Sequence, residues 1–178
     1  GFRRAVPREP AEVLLDDLSW PEIRCPEASK RISMDTEYDP SGVLLTLGVS
    51  NGAVAYAAEG GYDQVLDVLR DSEYLVGHSL AGDLRYLADL GGLKEEWVRG
   101  TKNLDSLLLA RMCDENRPKG GYELETLLLS YYNVTPWKEE TKVYDWIKVG
   151  KRRRKDVDAR RWPEDLRRKR CALDAWAA

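Results

Sequence analysis

Histidine and cysteine are scarce in this sequence, which has a single histidine, His78, and three cysteines. One histidine excludes any mechanism that needs two imidazole groups. The cysteines, Cys25, Cys113 and Cys171, are odd in number, widely spaced and outside any paired metal-ligand motif. We therefore expect reduced thiols, buried as small apolar side chains, and neither disulfides nor a zinc site.

Long hydrophobic runs are also missing, because no segment approaches the length of a membrane span. The first residues, Gly1-Phe2-Arg3-Arg4, lack the apolar core of a signal peptide. A composition of 43% hydrophobic and 33% charged residues over 178 positions is typical of one soluble domain with a sizeable core. We expect a monomer without membrane contacts, located inside the cell: in the cytoplasm or nucleoid of a prokaryote or phage host, or in a eukaryotic organelle or nucleus.

The net charge of −3 conceals a strong separation of charge along the chain. Residues 142–170 contain 13 basic and five acidic residues, a local net charge of +8, which leaves −11 for the remainder. A protein that holds cations in one place and a polyanion beside them needs such a separation. The alternative interpretation of the densest run, Lys151-Arg152-Arg153-Arg154-Lys155, is a solvated loop or a localisation signal.

An antiparallel meander of three strands is predicted early in the chain. The aliphatic and β-branched residues of 31–38 and 43–49 flank Asp39-Pro40-Ser41-Gly42, whose residues favour a tight turn. The third strand follows Asn51-Gly52, a strong hairpin signal. A fourth, apolar strand at 74–78 comes after a helix, so we expect it to be parallel to its neighbour and central in the sheet.

The other periodic segments are predicted to be helices. They cover residues 11–18, 65–69, 80–90, 103–111, 122–132 and 163–178. Four prolines interrupt residues 1–28, which we assign to a lead-in segment, and residues 29–178 form one domain. Residues 134–161 have no clear periodicity and contain the basic run, so we expect a long, mobile, exposed loop there.

Asp35 and Glu37 lie on the first strand of the meander with one residue between them. Successive strand side chains alternate between faces, so both carboxylates point the same way. They repel each other unless a cation lies between them, and hard oxygen ligands suit Mg²⁺ or Mn²⁺. Asp83 is predicted in the first helical turn after the fourth strand, where ligand sites of open α/β sheets form. The alternatives are a solvated acidic strand end and an ordinary helix-start acid.

Three segments together resemble the DEDD 3′–5′ exonucleases. They are Asp35-Thr36-Glu37 on the first strand, Val76 to Leu84 at a strand-to-helix junction, and Cys171 to Ala175 on the last helix. Their order and spacing are most similar to the proofreading domain of family A (Pol I-like) DNA polymerases, with ribonuclease D-like enzymes next. The resemblance covers residues 29–178. It implies a ribonuclease H-like α/β fold, in which helices flank a mixed central sheet of a three-stranded antiparallel meander plus parallel strands.

The resemblance implies a proofreading-type 3′–5′ exonuclease that hydrolyses the terminal phosphodiester of single-stranded DNA with two ions of Mg²⁺ or Mn²⁺. By matching motif positions, the acids that hold these ions are Asp35, Glu37, Asp83 and Asp174. The ions activate a water and stabilise the leaving 3′-oxygen. A role in DNA replication and a polymerase domain following in the same chain are also implied. The alternative within the class is a ribonuclease D-like exoribonuclease.

Two positions depart from the family's pattern. Ser79 stands where the second motif commonly has Asn, and Arg170 stands where the third motif has a Tyr that positions the nucleophilic water. Arginine cannot replace that Tyr because it has no hydrogen-bond acceptor. Its place four residues before Asp174 directs it toward the same site, where it could grip the scissile phosphate. The expected consequences are reduced activity, with Glu37 or Tyr144 orienting the water, or a non-catalytic nucleic-acid-binding module.

Substrate contacts are assigned to residues around the acids and on the closing helix. The set comprises Thr36, Tyr38, His78, Ser79, Leu80, Arg167 and Arg170. Leu80 has an alternative place in the helix core, and Asp105 occupies a position where relatives often carry an acid but fits a helix cap. Lys151 to Lys155 are candidates for phosphate contacts, and Trp146 or Trp162 for base stacking.

Overall fold

A six-stranded mixed sheet forms the centre of the fold. The computed structural model describes residues 20–132, 137–149 and 152–178. The strands of the sheet are β1 (Glu22–Ile23), β2 (Arg31–Tyr38), β3 (Leu44–Ser50), β4 (Val54–Ala58), β5 (Tyr74–Gly77) and β6 (Asn103–Asp105), in the spatial order β1-β4-β3-β2-β5-β6. The predicted antiparallel meander is confirmed as β2, β3 and β4, and β5 runs parallel to β2 inside the sheet. β1 pairs in parallel with β4, so part of the lead-in segment joins the sheet.

Helices cover the sheet on both faces. In the described part of the chain they are α1 (Asp63–Asp71), α2 (Ala81–Asp89), α3 (Glu95–Val98), α4 (Ser106–Cys113), α5 (Leu124–Tyr132), α6 (Glu139–Lys142) and α7 (Glu164–Ala177). The helix predicted at 103–111 begins only at Ser106, because the three residues before it pair with β5 as strand β6. The helix predicted at 11–18 lies outside the described residues. Within the ranges given above, every helix is too short or too polar to cross a membrane.

The side chains of β2 alternate between two layers. Ile32 and Met34 are buried in a core shared with Leu69 of α1 and with residues of α2. On the other face of the sheet, α7 packs against β4 through contacts such as Cys171 with Ala57. The intervening residues of β2, which include both carboxylates, therefore lie under α7.

The prediction of a long loop at residues 134–161 is wrong for 137–149 and 152–161, the parts of it that the structure describes. They contain α6, two 3₁₀ turns and an antiparallel hairpin of β7 (Trp146–Val149) with β8 (Arg152–Lys155). A strand is recognised in a sequence by one apolar face. This hairpin has none, since seven of its eight described residues are exposed.

All three cysteines are free, as expected. Cys171 is buried between α7 and the sheet, whereas Cys113 is exposed at the end of α4. The expected burial is therefore wrong for Cys113. No disulfide crosslinks the described residues, so packing, hydrogen bonds and ion pairs hold α7 against the sheet.

Candidate metal centre

β2 and α7 together bring three carboxylates to one place. Asp35 and Glu37 share the face of β2 that lies under α7, and Asp174 projects from α7 three residues after the buried Cys171. One oxygen from each of the three carboxylates lies within 4.8 Å of the other two. Asp35, Glu37 and Asp174 are called the acid cluster below.

A glycine on the neighbouring strand allows α7 to approach β2 this closely. Gly48 of β3 is the cross-strand partner of Asp35. A Cβ atom at Gly48 would lie 2.6 Å from the carbonyl oxygen of Cys171, closer than van der Waals contact permits. The thiol of Cys171 donates a hydrogen bond to the backbone carbonyl of Asp35 at 3.3 Å. The bare backbone at Gly48 thus fixes the height of α7 above the sheet, and with it the position of Asp174.

Asp174 is held by two donors from the segment before α6. Trp137 Nε1 donates to Asp174 Oδ1 at 2.8 Å, and Lys138 Nζ lies 3.0 Å from the same oxygen. The Asp174 side chain is only 6% exposed, so this arrangement is shielded from water. Sequence reasoning missed both donors, because they fall in the aperiodic stretch assigned to a loop. A tryptophan next to a lysine there was the only available signal.

Arg170 lies inside the acid cluster. Its Nε is 3.2 Å from Glu37 Oε1 and 3.7 Å from Asp174 Oδ2, and its Nη1 donates to Thr141 Oγ1 at 2.7 Å. The guanidinium also stacks over the ring of Trp162, 4.2 Å from its centroid. The predicted orientation of Arg170 toward Asp174 is therefore observed. Arg170 acts as a resident cation that partly neutralises two of the three carboxylates.

The fourth expected acid, Asp83, lies beside the acid cluster and does not belong to it. Its Oδ1 accepts a hydrogen bond from the hydroxyl of Thr36, whose side chain alternates to the face of β2 opposite Asp35 and Glu37. Asp83 is buried in the first turn of α2, as the sequence predicted. The Thr36 hydroxyl explains why Asp83 stands apart, and sequence reasoning did not anticipate this hydrogen bond.

Burial raises the pKa values of Asp35, Glu37 and Asp83 above their ordinary range. Loss of hydration is the main cause for Asp35, whose pKa also rises through repulsion by Asp174, Glu37 and Asp83. Burial raises the pKa of Glu37 to about 7, against the opposing attraction of Arg170. The pKa of Asp83 is raised to about 6 by burial, against the hydrogen bond from Thr36. Lost hydration, more than repulsion between carboxylates, therefore keeps the pKa values of these three groups above their ordinary range.

The acid cluster has the donor set of a site for a hard divalent cation. Oδ2 of Asp35 is buried and has no hydrogen-bond partner among the described residues. A buried, unpartnered carboxylate oxygen is costly unless a cation binds to it. Three carboxylate oxygens at this separation suit Mg²⁺ or Mn²⁺. Asp35, Glu37 and Asp174 therefore fit the metal that the sequence resemblance implies.

Two adjoining cavities open beside the acid cluster, and Asp35, Val157, Arg170 and Asp174 line both. The first, about 360 Å³, is also lined by His78, Glu123, Leu124, Glu125, Lys138, Lys142, Asp145 and Lys155. The second, about 340 Å³, is also lined by Thr36, Glu37, Tyr38, Asp39, Pro40 and Ala159. Tyr144 is absent from both sets of lining residues, so its ring does not replace the missing tyrosine in these cavities.

Several predicted substrate contacts lie near this opening. Tyr38 is 51% exposed and stacks on Tyr86 with ring centroids 5.2 Å apart. His78 lines the first cavity, and its Nδ1 lies 2.9 Å from Ser106 Oγ. Ser79 is exposed, with a positive φ of 62°. Tyr38 and His78 are therefore accessible from the two cavities, and Ser79 is exposed at the turn before α2.

Other predicted contacts are corrected by their burial. Leu80 is 2% exposed and packs in the core, so it cannot wedge against a base. Arg167 pairs with Glu59 through Nε and Nη2, while Nη1 donates to the carbonyls of Ala159 and Trp162. No edge of its guanidinium remains for a phosphate. Trp162 itself is 2% exposed and unavailable for stacking on a base.

Asp105 is confirmed as a helix cap. Its side chain accepts hydrogen bonds from the backbone N–H groups of Leu107 and Leu108 at the start of α4. It also accepts from the backbone N–H groups of Ser79 and Leu80. Asp105 therefore ties the β5–α2 junction to α4 and positions the turn that precedes Asp83.

A mixed sheet with flanking helices, two carboxylates on its first long strand and a third on its closing helix has the ribonuclease H-like fold found in exonucleases. Among solved structures, the chain is similar to Escherichia coli RNase D, described as an exoribonuclease involved in structured RNA processing, with a TM-score of 0.55 and 21% sequence identity. The likeness covers 83% of this chain and 36% of that one, so the chain spans little more than a third of the length of that structure. It shows the fold. No protein-family model and no curated protein matches the sequence.

Proposed function

We propose that this chain is a metal-dependent 3′–5′ exonuclease that removes terminal nucleotides from a single strand. The observation that carries the proposal is the convergence of three carboxylate oxygens within 4.8 Å, one carboxylate having a buried oxygen without a partner. The cluster lies at the junction of two open cavities, where a strand end has access. The fold is one in which such clusters hold divalent ions.

Asp35, Glu37 and Asp174 are the residues that would hold Mg²⁺ or Mn²⁺, with Asp83 adding negative charge from beside them. Bound divalent ions would supply Lewis acidity toward the scissile phosphate and toward a water. The carboxylates themselves are the hydrogen-bond acceptors available to orient that water. Arg170 and Lys138 contribute donors and positive charge, because neither side chain has an acceptor.

The first candidate substrate is single-stranded DNA, with a polymerase domain in the same full-length protein, which the three sequence motifs favour. The second candidate is RNA, which the likeness in fold to E. coli RNase D favours. A third candidate is a binding module with little turnover. It is supported by the ion pairs of Arg170 with Glu37 and Asp174, which place a guanidinium among the carboxylates where the family has a water-aligning tyrosine.

The test is digestion of matched 5′-labelled DNA and RNA strands of the same sequence with Mg²⁺ or Mn²⁺. We expect a ladder of products shortened from the 3′ end, which chelation of the metal and a 3′-terminal phosphorothioate both suppress. Asp35→Asn should lower the rate on the order of a thousandfold, because it removes a charged ligand. Asp89→Asn, an exposed acid of α2, is the matched control and should leave the rate unchanged.

The result also decides between the candidates. Faster digestion of RNA than of DNA would identify RNA as the preferred substrate. Binding of strands without digestion in either metal would favour the binding module. A wild-type protein that neither binds nor digests any strand would refute the proposed function. Asp35→Asn should also raise the melting temperature in chelator, because it relieves the repulsion within the acid cluster.

A further inference from the structure

The β7–β8 hairpin carries positive charge that its own structure does not explain. Five of its eight described residues are basic and none is acidic: Lys148, Arg152, Arg153, Arg154 and Lys155. All five side chains are exposed. Throughout 20–132, 137–149 and 152–178, no acid lies within ion-pair distance of any of them. Neither ion pairs with the described residues nor packing in a hydrophobic core therefore accounts for these five cations.

The register of the hairpin divides these residues between two faces. Residues directly opposite each other on antiparallel strands share a face, and neighbours along a strand alternate. One face, called the tryptophan face, contains Trp146, Lys148, Arg153 and Lys155. The opposite face contains Ile147, Val149, Arg152 and Arg154.

The tryptophan face continues from the cleft beside the acid cluster. Lys155 lines the first cavity together with Asp35 and Asp174. The base of the hairpin is fixed to the same region, since the backbone N–H of Asp156 donates to the carbonyl of Asp145 at 2.7 Å. The carboxylate of Asp145 in turn accepts from Trp162 Nε1, 3.1 Å away.

Trp162 connects this base to the acid cluster, because its ring lies under the guanidinium of Arg170. The hairpin is thus anchored one side chain away from a residue that contacts Glu37 and Asp174. Lys155 is the cation of the hairpin that lines the first cavity, so it links the hairpin to the cleft beside the acid cluster.

A direct cross-strand pair of like charges points to an anionic ligand. Lys148 and Arg153 face each other across the hairpin. Like charges in that arrangement destabilise a hairpin, and a two-stranded sheet without a core is marginal already. An external polyanion would remove this repulsion. Trp146, 50% exposed on the same face, adds a flat ring that a protein core would normally bury.

We propose that the tryptophan face binds the nucleotides of a single strand immediately upstream of the one that lies at the acid cluster. This inference rests on the proposed function and extends it to the path of the substrate. Lys155 contacts one phosphate, the opposed pair of Arg153 and Lys148 contacts the next, and Trp146 stacks on a base. Lys155 and Arg153, two residues apart on β8, are separated by about 6.6 Å along the strand, which spaces these two contacts along the ribbon. Aromatic rings set among such cations are the usual platform for single strands.

The test compares two adjacent arginines on opposite faces. Binding of a fluorescent 20-nucleotide strand is measured by anisotropy in chelator, so that no digestion occurs. Arg153→Glu should weaken binding at least about tenfold and reduce the salt slope by about one or more. Arg154→Glu makes the same charge change on the other face and should weaken binding less than about threefold through the long-range field alone. Trp146→Ala should weaken binding by about fivefold to tenfold, and Val149→Ala should have no effect.

Equal losses for Arg153→Glu and Arg154→Glu would overturn the assignment to one face, and no loss for either would overturn the whole inference. Circular dichroism of each variant establishes that the fold is retained. A second measurement uses metal-driven digestion of a trinucleotide, which is too short to reach Arg153. Arg153→Glu should slow digestion of the 20-nucleotide strand and spare the trinucleotide. If wild-type protein binds strands in this face-dependent way but digests none, the proposed function fails while this inference stands.

Discussion

The acid cluster and the β7–β8 hairpin carry charges of opposite sign and differ in how far those charges are buried and paired. In the acid cluster each carboxylate is placed by packing, and cations such as Arg170 and Lys138 lie against it. In the hairpin the cations are exposed, two of them face each other, and none has an acidic partner in the described residues. The acid cluster is therefore positioned by contacts inside the protein, and the burial of its charges costs stability. The cations of the hairpin are instead free to bind a ligand outside the chain.

Because of this difference, substitutions should affect stability and function together in the acid cluster and separately in the hairpin. Buried like charges are destabilising until a cation binds, so changes in the acid cluster should alter both stability and metal affinity. Exposed cations cost little in the free protein, so changes in the hairpin should alter strand affinity alone. Changes at the acid cluster or at the residues that position it can therefore be compared with changes that leave it intact.

The largest effect is expected from Gly48→Ala. The new methyl group would meet the backbone of Cys171, which cannot move without lifting α7 and Asp174 from the sheet. We expect a loss of about 3 kcal/mol in unfolding free energy and a metal affinity weakened at least about tenfold. Chemical denaturation and calorimetric titration with Mn²⁺ measure the two quantities.

Gly82→Ala is the control for Gly48→Ala. A Cβ atom at Gly82, in the first turn of α2, meets nothing within 4 Å. This change should leave stability unchanged or raise it by about 0.5 kcal/mol. Strand binding by Gly48→Ala in chelator should stay within about threefold of wild type, because the hydrogen bonds at the base of the hairpin involve Asp145, Asp156 and Trp162, which lie outside α7. A matching loss of strand binding would show that the two regions are not separable.

The contrast between Gly48 and Asp35 also shows what the sequence can predict. The shared face of Asp35 and Glu37 follows from the two-residue period of a strand, which is local information. The close approach of α7 at Gly48 depends on a contact with Cys171, 123 positions away in the chain, and no local sequence pattern around Gly48 predicts it. The meander and its parallel neighbour were predictable for the same local reason, through turn residues and apolar runs.

The hairpin and the donors to Asp174 were hidden for a different reason. Hydrophobic periodicity reveals elements that bury one face, whereas β7 and β8 expose both. Trp137 and Lys138 acquire their role only when the segment before α6 returns to α7. The charge separation predicted a polyanion beside a cation site. Only the register of the two strands shows that Arg153 and Arg154 lie on opposite faces of the hairpin.

A smaller effect is expected from Arg170→Tyr, which introduces the residue that stands at the matching position in the exonucleases that the sequence resembles. Removing the guanidinium that pairs with Glu37 and Asp174 should tighten Mn²⁺ binding by about tenfold, since a resident cation no longer competes. Without metal, the same change should lower the melting temperature, because the carboxylates lose a compensating charge. Calorimetric titration and thermal melts in chelator and in Mn²⁺ measure both effects.

Lys169→Tyr is the control for Arg170→Tyr, since Lys169 is the adjacent residue, half exposed and paired with the surface acid Glu140. It should change neither Mn²⁺ affinity nor the melting temperature in chelator. Digestion rates should rise in Arg170→Tyr and stay constant in Lys169→Tyr. Unchanged Mn²⁺ affinity in Arg170→Tyr would mean that the guanidinium does not compete with the metal.

The smallest effect expected is a pH dependence that arises from the metal-free acid cluster and from Asp83 beside it. The pKa of Glu37 is raised to about 7 by burial, and that of Asp83 to about 6. Groups whose pKa is higher in the folded state stabilise the fold at low pH, and this contribution is lost as pH rises through the folded value. The melting temperature in chelator should therefore fall by a few degrees between pH 5 and pH 8. Saturating Mn²⁺ should reverse this trend, since ionised carboxylates bind it better. Burial also raises the pKa of Asp35, so Glu37→Gln should remove only part of the fall above pH 6, whereas Arg154→Glu in the hairpin should leave the whole fall intact. A fall of the same size in Glu37→Gln would assign the proton to another group and break the contrast between the two regions.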